Sequence, residues 1–399
     1  MTTFLVLASY EKGFDFIREC HDQGVRVVFL TLEKLRDRPW PHEAIAETFY
    51  APDFDTERHV LNTVAYLARE RKFDRIIPLD EFDAEVAAAL REHLRIPGMG
   101  ETTVRYFRDK LAMRFQAREA GVRVPDFVPV TNYDDIRAFF ERQAPPYILK
   151  PRGEASALGI RKIHDQEQLW RALDELGDEQ SFFLMEQFVA GDVFHVDSVV
   201  ANKKLQFAEV SGYLSPPLDV MHGGGLFASR TLDRDSAEAR TLHDLTQQLV
   251  KGLGIVRGAM HTEFIRSAAD GEFYFLETAA RVGGANLSDM VEAASGVNLW
   301  REWAKIEIAD ARGERYRKPK PRTDHAGILV TLARQTHPDL SGYDDPEIVW
   351  RMPKKQHAGL IVRADTPQRV RALLDGYMPR FYHDFHAAAT PPDSARDVE

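Results

Sequence analysis

The sequence predicts an α/β protein in which an N-terminal parallel α/β domain is followed by antiparallel sheets. Two observations predict this fold class. In the first hundred residues, short apolar runs rich in branched side chains alternate with segments whose apolar residues have helical spacing. From residue 147 onward, strand patterns follow one another with few helices between them. Strand–helix alternation is typical of a parallel sheet covered by helices, whereas consecutive strands are typical of antiparallel hairpins.

Composition limits the class of protein. The chain has 399 residues, 44% hydrophobic and 29% charged, and this length predicts two or three domains. The formal charge of −10 argues against a nucleic-acid surface and is compatible with small anionic ligands in basic pockets. Cys20 is the only cysteine, which excludes an internal disulfide and a cysteine zinc site. The apolar runs are too short for a membrane span or a secretion signal, so we expect a cytoplasmic protein without a membrane partner.

Residues 1–98 are predicted to form the parallel sheet. The predicted strands are FLVLAS, VRVVFLT and RIIPLD, and the predicted helices are KGFDFIRECHDQG, ERHVLNTVAYLARERK and DAEVAAALREHL. Asp80, Glu81 and Asp83 follow the third strand, at the edge where ligands approach such sheets, and helix capping is the alternative explanation. The turn ASYEKG holds a single glycine, which argues against a nicotinamide dinucleotide.

The rest of the chain is predicted to be richer in antiparallel strands. These strands are YILKPR, GIRKI, SFFLMEQFV, FHVDSVVANKKLQFAEV, GAMHTEFI, GEFYFLETA, GILVTLAR, EIVWRMP and AGLIVRAD. The main predicted helices among them are EQLWRALDELG, AEARTLHDLTQQLVKGLG and TPQRVRALLDGYM. The dipeptide Asn202-Lys203 predicts a hairpin turn. The tail PPDSARDVE is predicted to be disordered.

The segment YILKPRGEASALGI is a candidate phosphate site. Lys150 ends an apolar strand and is followed by a loop of small residues that includes Gly153 and Ser156. A cation beside backbone N–H groups suits a polyphosphate, because the polyphosphate has many acceptor oxygens and spread negative charge. The loop joins two strands and its lysine precedes the glycines, so it is not a Walker loop. An ordinary hairpin is the alternative.

The segment SFFLMEQFVAGD is a candidate nucleoside site. Glu186 ends a strand whose residues could line an aromatic base, and Phe188 and Val189 follow it with backbone donors and acceptors. Asp192 could accept hydrogen bonds from ribose hydroxyl groups. An exposed turn between two strands is the alternative.

Two glutamates are predicted to meet on neighbouring strands. Alternation along GAMHTEFI places His261 and Glu263 on one face of the strand. The connection ADGE predicts a hairpin in which Glu263 and Glu277 are nearly equidistant from the turn. Paired carboxylates repel unless a cation lies between them, and oxygen ligands suit magnesium. A salt bridge to a nearby arginine is the alternative.

The order of these motifs resembles one family. Asp109-Lys110, KPRGEASALGI, EQFVAG, HTEF and LETAAR followed by two glycines resemble the ATP-grasp superfamily, and most of all its carboxylate–amine ligases. The resemblance covers about residues 1–300 and implies ATP held between two α/β halves of a two-part α+β grasp fold. It implies an ATP-grasp domain over 99–312 with a small lid at about 125–190. The region 313–399 would complete the grasp or form a small subdomain.

The resemblance also implies roles for site residues. Lys110 and Lys150 would hold the ATP phosphates, and Glu186 with the backbone through Val189 would lie at adenine. The sequence departs from the family at the ribose, where Asp192 is available but is followed by a valine, so the identity of the ribose ligand stays open.

The implied metal site consists of Glu263 and Glu277, which would bind Mg2+, with Mn2+ as a possible substitute. Ala279 stands where many members have an asparagine, so the two carboxylates, phosphate oxygens and water would complete the coordination. Arg281 would stabilise negative charge that develops on the reacting phosphate and acyl oxygens. His261 is assigned either to proton removal from the amine or to a hydrogen bond with a metal-binding glutamate.

The implied substrate site follows the second metal glutamate. Gly283 and Gly284 would let backbone N–H groups approach a substrate carboxylate, and Asn286 would add a side-chain contact. The segment SPPLDVMHGGGLFASR, which holds His222 and Arg230, is the candidate for a substrate-covering loop, with an ordinary surface loop as the alternative.

The implied reaction has two steps. ATP phosphorylates a carboxylate substrate to an acyl phosphate, and an amine then displaces phosphate to form an amide or peptide bond. The partners are therefore small carboxylate and amine molecules, and family analogy favours a homodimer. A carboxylase or purine-pathway enzyme of the same superfamily is one alternative, and a non-catalytic ATP-binding module is another.

Overall fold

The structure is a computed structural model that describes residues 1–155, 158–218, 220 and 224–387. Three sheets organise these residues, one of four parallel strands, one of four antiparallel strands and one of eight antiparallel strands. The predicted fold class is confirmed. The predicted tail PPDSARDVE lies outside the described residues. Within the described residues, no helix is long and apolar enough to cross a membrane.

The N-terminal sheet is parallel and has the strand order β3-β2-β1-β4. Its elements are β1 (Thr3–Ala8), α1 (Phe14–Asp22), β2 (Arg26–Leu32), β3 (Glu47–Ala51), α2 (Glu57–Leu67), β4 (Arg75–Pro78) and α3 (Ala84–Leu94). Three strands and three helices were predicted here and are confirmed. The prediction missed β3, an edge strand whose residues are all only half-buried and which therefore lacks a long apolar run.

The four-stranded antiparallel sheet follows two helices and has the strand order β5-β8-β6-β7. This part of the chain contains α4 (Glu101–Val104), α5 (Lys110–Glu119), β5 (Phe127–Pro129), α6 (Tyr133–Arg142), β6 (Tyr147–Pro151), β7 (Arg161–Ile163), α7 (Gln166–Leu176) and β8 (Phe183–Gln187). The helix α5 begins at Lys110 because the Asp109 carboxylate accepts the free N–H groups of Leu111 and Ala112.

The eight-stranded sheet has the order β13-β12-β9-β10-β11-β14-β16-β15. Its strands are β9 (Gly191–Ala201), β10 (Lys204–Tyr213), β11 (Phe227–Thr231), β12 (Gly258–Ser267), β13 (Phe273–Ala279), β14 (His325–Leu332), β15 (Ile348–Arg351) and β16 (His357–Ala364). The helices of this region are α8 (Ala237–Gly252), α9 (Leu287–Ser295), α10 (Leu299–Arg312) and α11 (Pro367–Asp384). The strand β11 lies in the segment that was predicted to be a loop.

Two features place the candidate site. The predicted hairpin at Asn202-Lys203 is confirmed, with φ angles of 54° and 58° that are typical of a tight two-residue turn. Helix α10 is packed between the N-terminal parallel sheet and the eight-stranded sheet, where Trp303 belongs to one core with Phe29 and Val199. This shared core brings the carboxyl end of β4 close to the β12–β13 hairpin.

Candidate active site

A cavity of about 540 Å³ lies between the four-stranded antiparallel sheet, the eight-stranded sheet and the carboxyl end of β4. Each of these three parts contributes charged side chains to it. The charged residues that line the cavity are Glu81, Arg108, Lys110, Lys150, Glu154, Glu186, Glu263, Glu277 and Arg281. Acids and bases are therefore gathered from segments that are far apart in the sequence.

Two lysines face this cavity from opposite sides. Lys150 is buried at the end of β6, and its Nζ donates to Glu186 at 2.5 Å. Lys110, in the first turn of α5, lies 3.1 Å from a carboxylate oxygen of Glu277 and donates to the carbonyl of Glu154 at 2.5 Å. Burial and the charge of Arg114 lower the pKa of Lys150 to about 8, although Glu186 opposes this shift.

The carboxylate of Glu186 takes part in a buried ion pair with two bases. Arg114, which is fully buried on α5, donates to Glu186 at 3.0 Å and also donates to the carbonyl of Leu276. Burial raises the pKa of Glu186, but the charges of Arg114 and Lys150 outweigh it and the pKa is lowered. The side chain of Glu186 is thus held beside Lys150, while Phe188 and Val189 continue along the cavity wall.

Glu263 and Glu277 are directly paired across β12 and β13, as the hairpin pattern predicted. The phenol of Tyr213 on β10 donates to Oε1 of Glu263 at 2.7 Å, and Nε2 of His261 lies 3.5 Å from the same oxygen. Burial raises the pKa of Glu263, but the hydrogen bond and the charge of His261 outweigh this effect. The pKa of Glu263 therefore lies below its ordinary value.

Behind Glu263 lies a buried polar network centred on Asp197. The Nδ1 atoms of His195 and His261 lie 2.7 and 2.9 Å from the two carboxylate oxygens of Asp197. Nε2 of His195 lies 2.7 Å from the hydroxyl group of Ser229 on β11. Burial raises the pKa of Asp197, but the charges of the two imidazoles hold it well below its usual range. The network joins β9, β11 and β12 next to the paired glutamates.

The loop after β13 packs on this network. A Cβ atom at Gly283 would lie 2.5 Å from Oδ1 of Asp197 and 3.0 Å from Nδ1 of His261. Only glycine therefore fits at this position without moving the network. Gly284, one residue further, has no atom within 4 Å of such a Cβ and lines the cavity.

Arg281 is held by a carboxylate from the N-terminal sheet region. Its Nε and Nη2 atoms donate to Oε1 of Glu81 at 3.0 and 2.5 Å, and Arg108 donates to Oε2 of Glu81 at 3.1 Å. Burial raises the pKa of Glu81, but Arg281 and Arg108 lower it to about 2. The same arginine, Arg108, donates to the carbonyl of Gly153 at 2.8 Å and so ties the loop after β6 to this cluster.

One wall of the cavity is apolar. It is formed by side chains from the segment after β10, from β11 and from the start of α9. The residues of this wall are Tyr213, Pro216, Pro217, Leu218, Val220, Phe227 and Leu287. Gly284 and Ala285, which precede Leu287 by three and two residues, also line the cavity.

Five predicted ligand residues that the structure describes are not among the residues that line the cavity, and three of them are polar or charged. Asp192 is paired with Arg266 at 3.2 Å and its side chain is 73% exposed, so its carboxylate points into solvent at the strand end. Arg230 lies on β11 away from the cavity lining, where burial and Arg371 lower its pKa. Asn286 has a left-handed backbone with φ of 58° and donates to Asp289 at 3.0 Å, so its side chain belongs to the start of α9.

Two further predicted residues contact residues of the site, and two others lie outside the described residues. Gly153 precedes Glu154, which lines the cavity, and the carbonyl of Gly153 accepts a hydrogen bond from Arg108. Gly283 packs against Asp197 and His261, where a substrate contact was predicted. Ser156 and His222 lie outside the described residues.

The sequence interpretation also missed residues that the structure places at the site. These are Arg108, Arg114, His195, Asp197 and Tyr213. For His195 and Asp197 a signal was present, because two polar residues at alternate positions of an apolar strand share one face. No local pattern marks the others, since their partners come from distant segments.

Part of this chain matches a known protein family. The model of the ATP-grasp domain family matches residues 143–289, which include β6 to β13 and the paired glutamates. These residues of the chain therefore match an ATP-grasp domain. Among curated relatives of this chain, L-arginine-specific L-amino acid ligase from Bacillus subtilis is 28% identical over 270 residues, which cover 66% of this chain and 65% of the relative.

Alanine–anticapsin ligase from Bacillus subtilis is 24% identical to this chain over 285 residues, which cover 65% of this chain and 57% of the relative. The match thus spans less than two thirds of the length of both relatives. The crystal structure of an L-amino acid ligase from Bacillus licheniformis has a TM-score of 0.74 and 18% identity, covering 97% of this chain and 98% of that chain. This likeness shows a shared fold.

Proposed function

We propose that this protein is an ATP-dependent carboxylate–amine ligase. One observation carries the proposal. Glu263 and Glu277 are directly paired on one wall of a cavity, and Lys110, Lys150 and Arg281 line the same cavity. A nucleoside triphosphate with a divalent cation requires such an arrangement, in which two carboxylates and several cationic side chains face one cavity. The relatives that are named as amino acid ligases support the same reaction class.

ATP would occupy the part of the cavity between the two antiparallel sheets. Phe188 and Val189 lie on the wall there with apolar residues such as Ile148 and Leu276, which suit the faces of an adenine ring. The phosphates would lie between Lys110 and Lys150. Both lysines are now paired with carboxylates, so phosphate binding would replace ion pairs with Glu277 and Glu186. We assign no residue to the ribose, because Asp192 is exposed.

The residues present fit a magnesium ion. Glu263 and Glu277 offer oxygen ligands from opposite positions of two paired strands, and Tyr213 orients the carboxylate of Glu263. Mn2+ would be accepted by the same oxygen donors. When bound, the cation neutralises charge on the phosphates during transfer. Its removal would release Glu277 to the ion pair with Lys110 that the structure contains.

In the first step, a carboxylate oxygen of the substrate attacks the γ-phosphorus, the bond to the β–γ bridging oxygen breaks, and ADP leaves. In the second step, the amine nitrogen attacks the acyl carbon, phosphate leaves with the bonding electron pair, and the proton that the amine loses passes to the departing phosphate. Arg281, which Glu81 holds in place, stabilises the negative charge that develops in both steps. Both nitrogens of His261 face carboxylates, so we assign it to orienting Glu263 and not to accepting the amine proton.

The apolar wall of the cavity indicates the side-chain class of one substrate. Leu218, Val220, Phe227 and Leu287 lie beside the loop that follows Arg281. The described residues of this wall are apolar except for the phenol group of Tyr213, so the wall suits an apolar side chain. We propose that one substrate is an amino acid with an apolar side chain.

Product analysis with hydroxylamine tests the reaction class. The protein is incubated with Mg2+, ATP, hydroxylamine and a panel of amino acids, and nucleotides and hydroxamates are quantified. We expect ADP, phosphate and a hydroxamate, with apolar amino acids ahead of arginine or lysine. AMP and pyrophosphate would contradict the acyl-phosphate mechanism, and turnover that requires bicarbonate would favour a carboxylase.

A substitution links this chemistry to the cavity. Arg281→Ala should lose most of the hydroxamate while still binding ATP, because the arginine acts on charge that develops during the reaction. Arg171→Ala, at a side chain that is 64% exposed, is the matched control and should behave as the wild type does. Equal hydroxamate yields from Arg281→Ala and the control would remove Arg281 from the reaction.

A further inference from the structure

A second cavity, of about 140 Å³, lies behind the candidate active site between β4, α3, the start of β12 and α10. Three arginines line it, namely Arg75 at the start of β4, Arg91 on α3 and Arg257 just before β12. Glu307 of α10 also lines it, and Asp310 of α10 is paired with two of the arginines. This cavity shares no lining residue with the first one.

Two of the arginines are neutralised by the two acids. Glu307 lies 2.8 Å from Arg257 and 3.5 Å from Arg75. Asp310 lies 3.2 Å from Arg257 and also forms an ion pair with Arg75. These four side chains form a closed group with equal numbers of positive and negative charges.

Arg91 is the third cation, and within the described part of the chain no carboxylate lies within 4.0 Å of it. Its guanidinium donates only to carbonyl groups, at 2.9 and 2.5 Å to Ile76 and at 3.1 Å to Met99. The residue is 7% exposed, and burial lowers its pKa to about 10, so it stays charged at neutral pH. The charge of Glu307 acts on Arg91 in the opposite direction, but Glu307 is already paired with Arg75 and Arg257, so the three arginines and two acids keep one positive charge in excess. A buried charge that is not balanced is costly.

Donor groups also remain unused around this cavity. Three hydrogen bonds do not exhaust the N–H groups of the Arg91 guanidinium. Nε of Arg75 is buried and lies 3.5 Å from Oε2 of Glu307, but it has no hydrogen-bond acceptor among the described residues. The cavity is several times larger than the roughly 30 Å³ that a water molecule occupies in the liquid. It therefore combines excess positive charge, free donors and room for a small ion.

We propose that this cavity is a binding site for a small oxyanion, of the class that includes phosphate, bicarbonate and short carboxylates. The planar guanidinium of Arg91 would donate to two oxygens of the ion, as guanidinium groups do with phosphate and carboxylate. Nε of Arg75 would donate to a further oxygen. The anion would balance the one positive charge by which Arg75, Arg91 and Arg257 exceed Glu307 and Asp310.

The site is placed to affect the reacting residues. Pro78 and Ala280 line the cavity, and each lies on a segment that leads into the first cavity. Pro78 ends β4, three residues before Glu81, and Ala280 immediately precedes Arg281. An anion in the site thus contacts both segments that carry the Glu81–Arg281 ion pair. This coupling rests on the proposed function, whereas the binding of the anion does not.

Thermal unfolding tests the binding. The wild type is saturated with Mg2+ and a non-hydrolysable ATP analogue, so that the places of all three nucleotide phosphates in the first cavity are filled. Sodium phosphate, bicarbonate and acetate are then titrated separately at constant ionic strength. We expect a saturable rise in Tm with at least one of them. The rise should vanish in Arg91→Met, which has a neutral side chain, and persist in Arg58→Met at an exposed arginine. The absence of a saturable rise in the wild type, or an equal rise in Arg91→Met, would overturn the proposal.

Crystallography of the wild type tests the site if Arg91→Met does not fold. Wild-type crystals are soaked in selenate, a tetrahedral oxyanion that anomalous scattering locates. We expect a peak within hydrogen-bond distance of Arg91 and Arg75, and an empty cavity at saturating selenate would refute the site. Turnover is then measured against the anion that raises Tm. A change with the same midpoint supports the coupling, while a protein without turnover refutes the proposed function and leaves the binding result standing.

Discussion

The phenol of Tyr213 donates to Oε1 of Glu263 at 2.7 Å, and Nε2 of His261 lies 3.5 Å from the same oxygen. One oxygen of Glu263 is thus occupied by neighbouring side chains, which leaves Oε2 to face a cation. Tyr213 comes from β10, which is separated from β12 by β9 in the sheet. The orientation of a predicted metal ligand therefore depends on a residue two strands away.

Tyr213→Phe should weaken binding of the divalent cation by about 10-fold or more, because outer-shell partners of metal ligands contribute about 10- to 100-fold. Binding of Mn2+ in the presence of ADP, followed by electron paramagnetic resonance, measures this directly. Tyr343→Phe removes a comparable phenol–carboxylate bond, 2.9 Å long, to Asp384 in the C-terminal region and serves as the control. Wild-type Mn2+ affinity in Tyr213→Phe would show that Tyr213 does not orient a metal ligand.

Gly283→Ala should destabilise the protein by about 1–3 kcal/mol, because an added methyl group must displace buried, hydrogen-bonded atoms. The new Cβ would lie 2.5 Å from Oδ1 of Asp197. Gly284→Ala is the control, since nothing lies within 4 Å of a Cβ there. Urea unfolding of both variants gives the comparison. Similar stabilities for the two variants would mean that the loop does not pack on the Asp197 network as described.

Lys150→Ala should weaken ATP binding by about 10- to 150-fold, the equivalent of about 1.5–3 kcal/mol for a charged hydrogen bond. Calorimetric titration with ATP measures the affinity, and Lys204→Ala, at an exposed lysine, is the control. An unchanged affinity in Lys150→Ala would place the phosphates elsewhere.

The affinity of the wild type for ATP should also depend on pH. Burial lowers the pKa of Lys150 to about 8, and phosphate favours its charged form. Binding should therefore be strongest below pH 8 and weaken as pH rises above it. Lys150→Ala should show a flatter profile over this range, and a parallel decline in the variant would assign the titration to another group.

The pKa of His261 predicts that the stability of the protein depends on pH. Burial lowers its pKa, but the charge and hydrogen bond of Asp197 outweigh this, and the pKa rises from 6.5 to about 9. A raised pKa stabilises the folded state below pH 6.5, and this stabilisation is lost as pH rises through 9. The unfolding free energy of the wild type should fall by about 2–3 kcal/mol over that interval relative to His261→Gln.

Urea unfolding at the two ends of this interval tests the dependence. His243→Gln, whose side chain is 50% exposed, is the control and should follow the wild type. A wild-type profile that parallels His261→Gln would show that Asp197 does not stabilise a charged imidazole.

The sequence alone determined the parts of this protein that depend on local pattern. Alternation along β12 and the short connection to β13 predicted that Glu263 and Glu277 are paired, and the structure has them directly opposite. Both elements belong to one hairpin, so register follows from the length of the turn. Likewise, apolar periodicity predicted most strands and helices, because a buried face repeats along a single element.

Only the tertiary structure decided which distant side chains meet these elements. Arg281 and Glu81 are 200 residues apart and pair because α10 holds the parallel sheet against the eight-stranded one. Asp192 belongs to the segment that predicted a nucleoside site, yet its carboxylate points into solvent beside Arg266 because of its place on β9. Strand order and the docking of sheets arise from the burial of whole faces, and no short segment records which other segment will cover it.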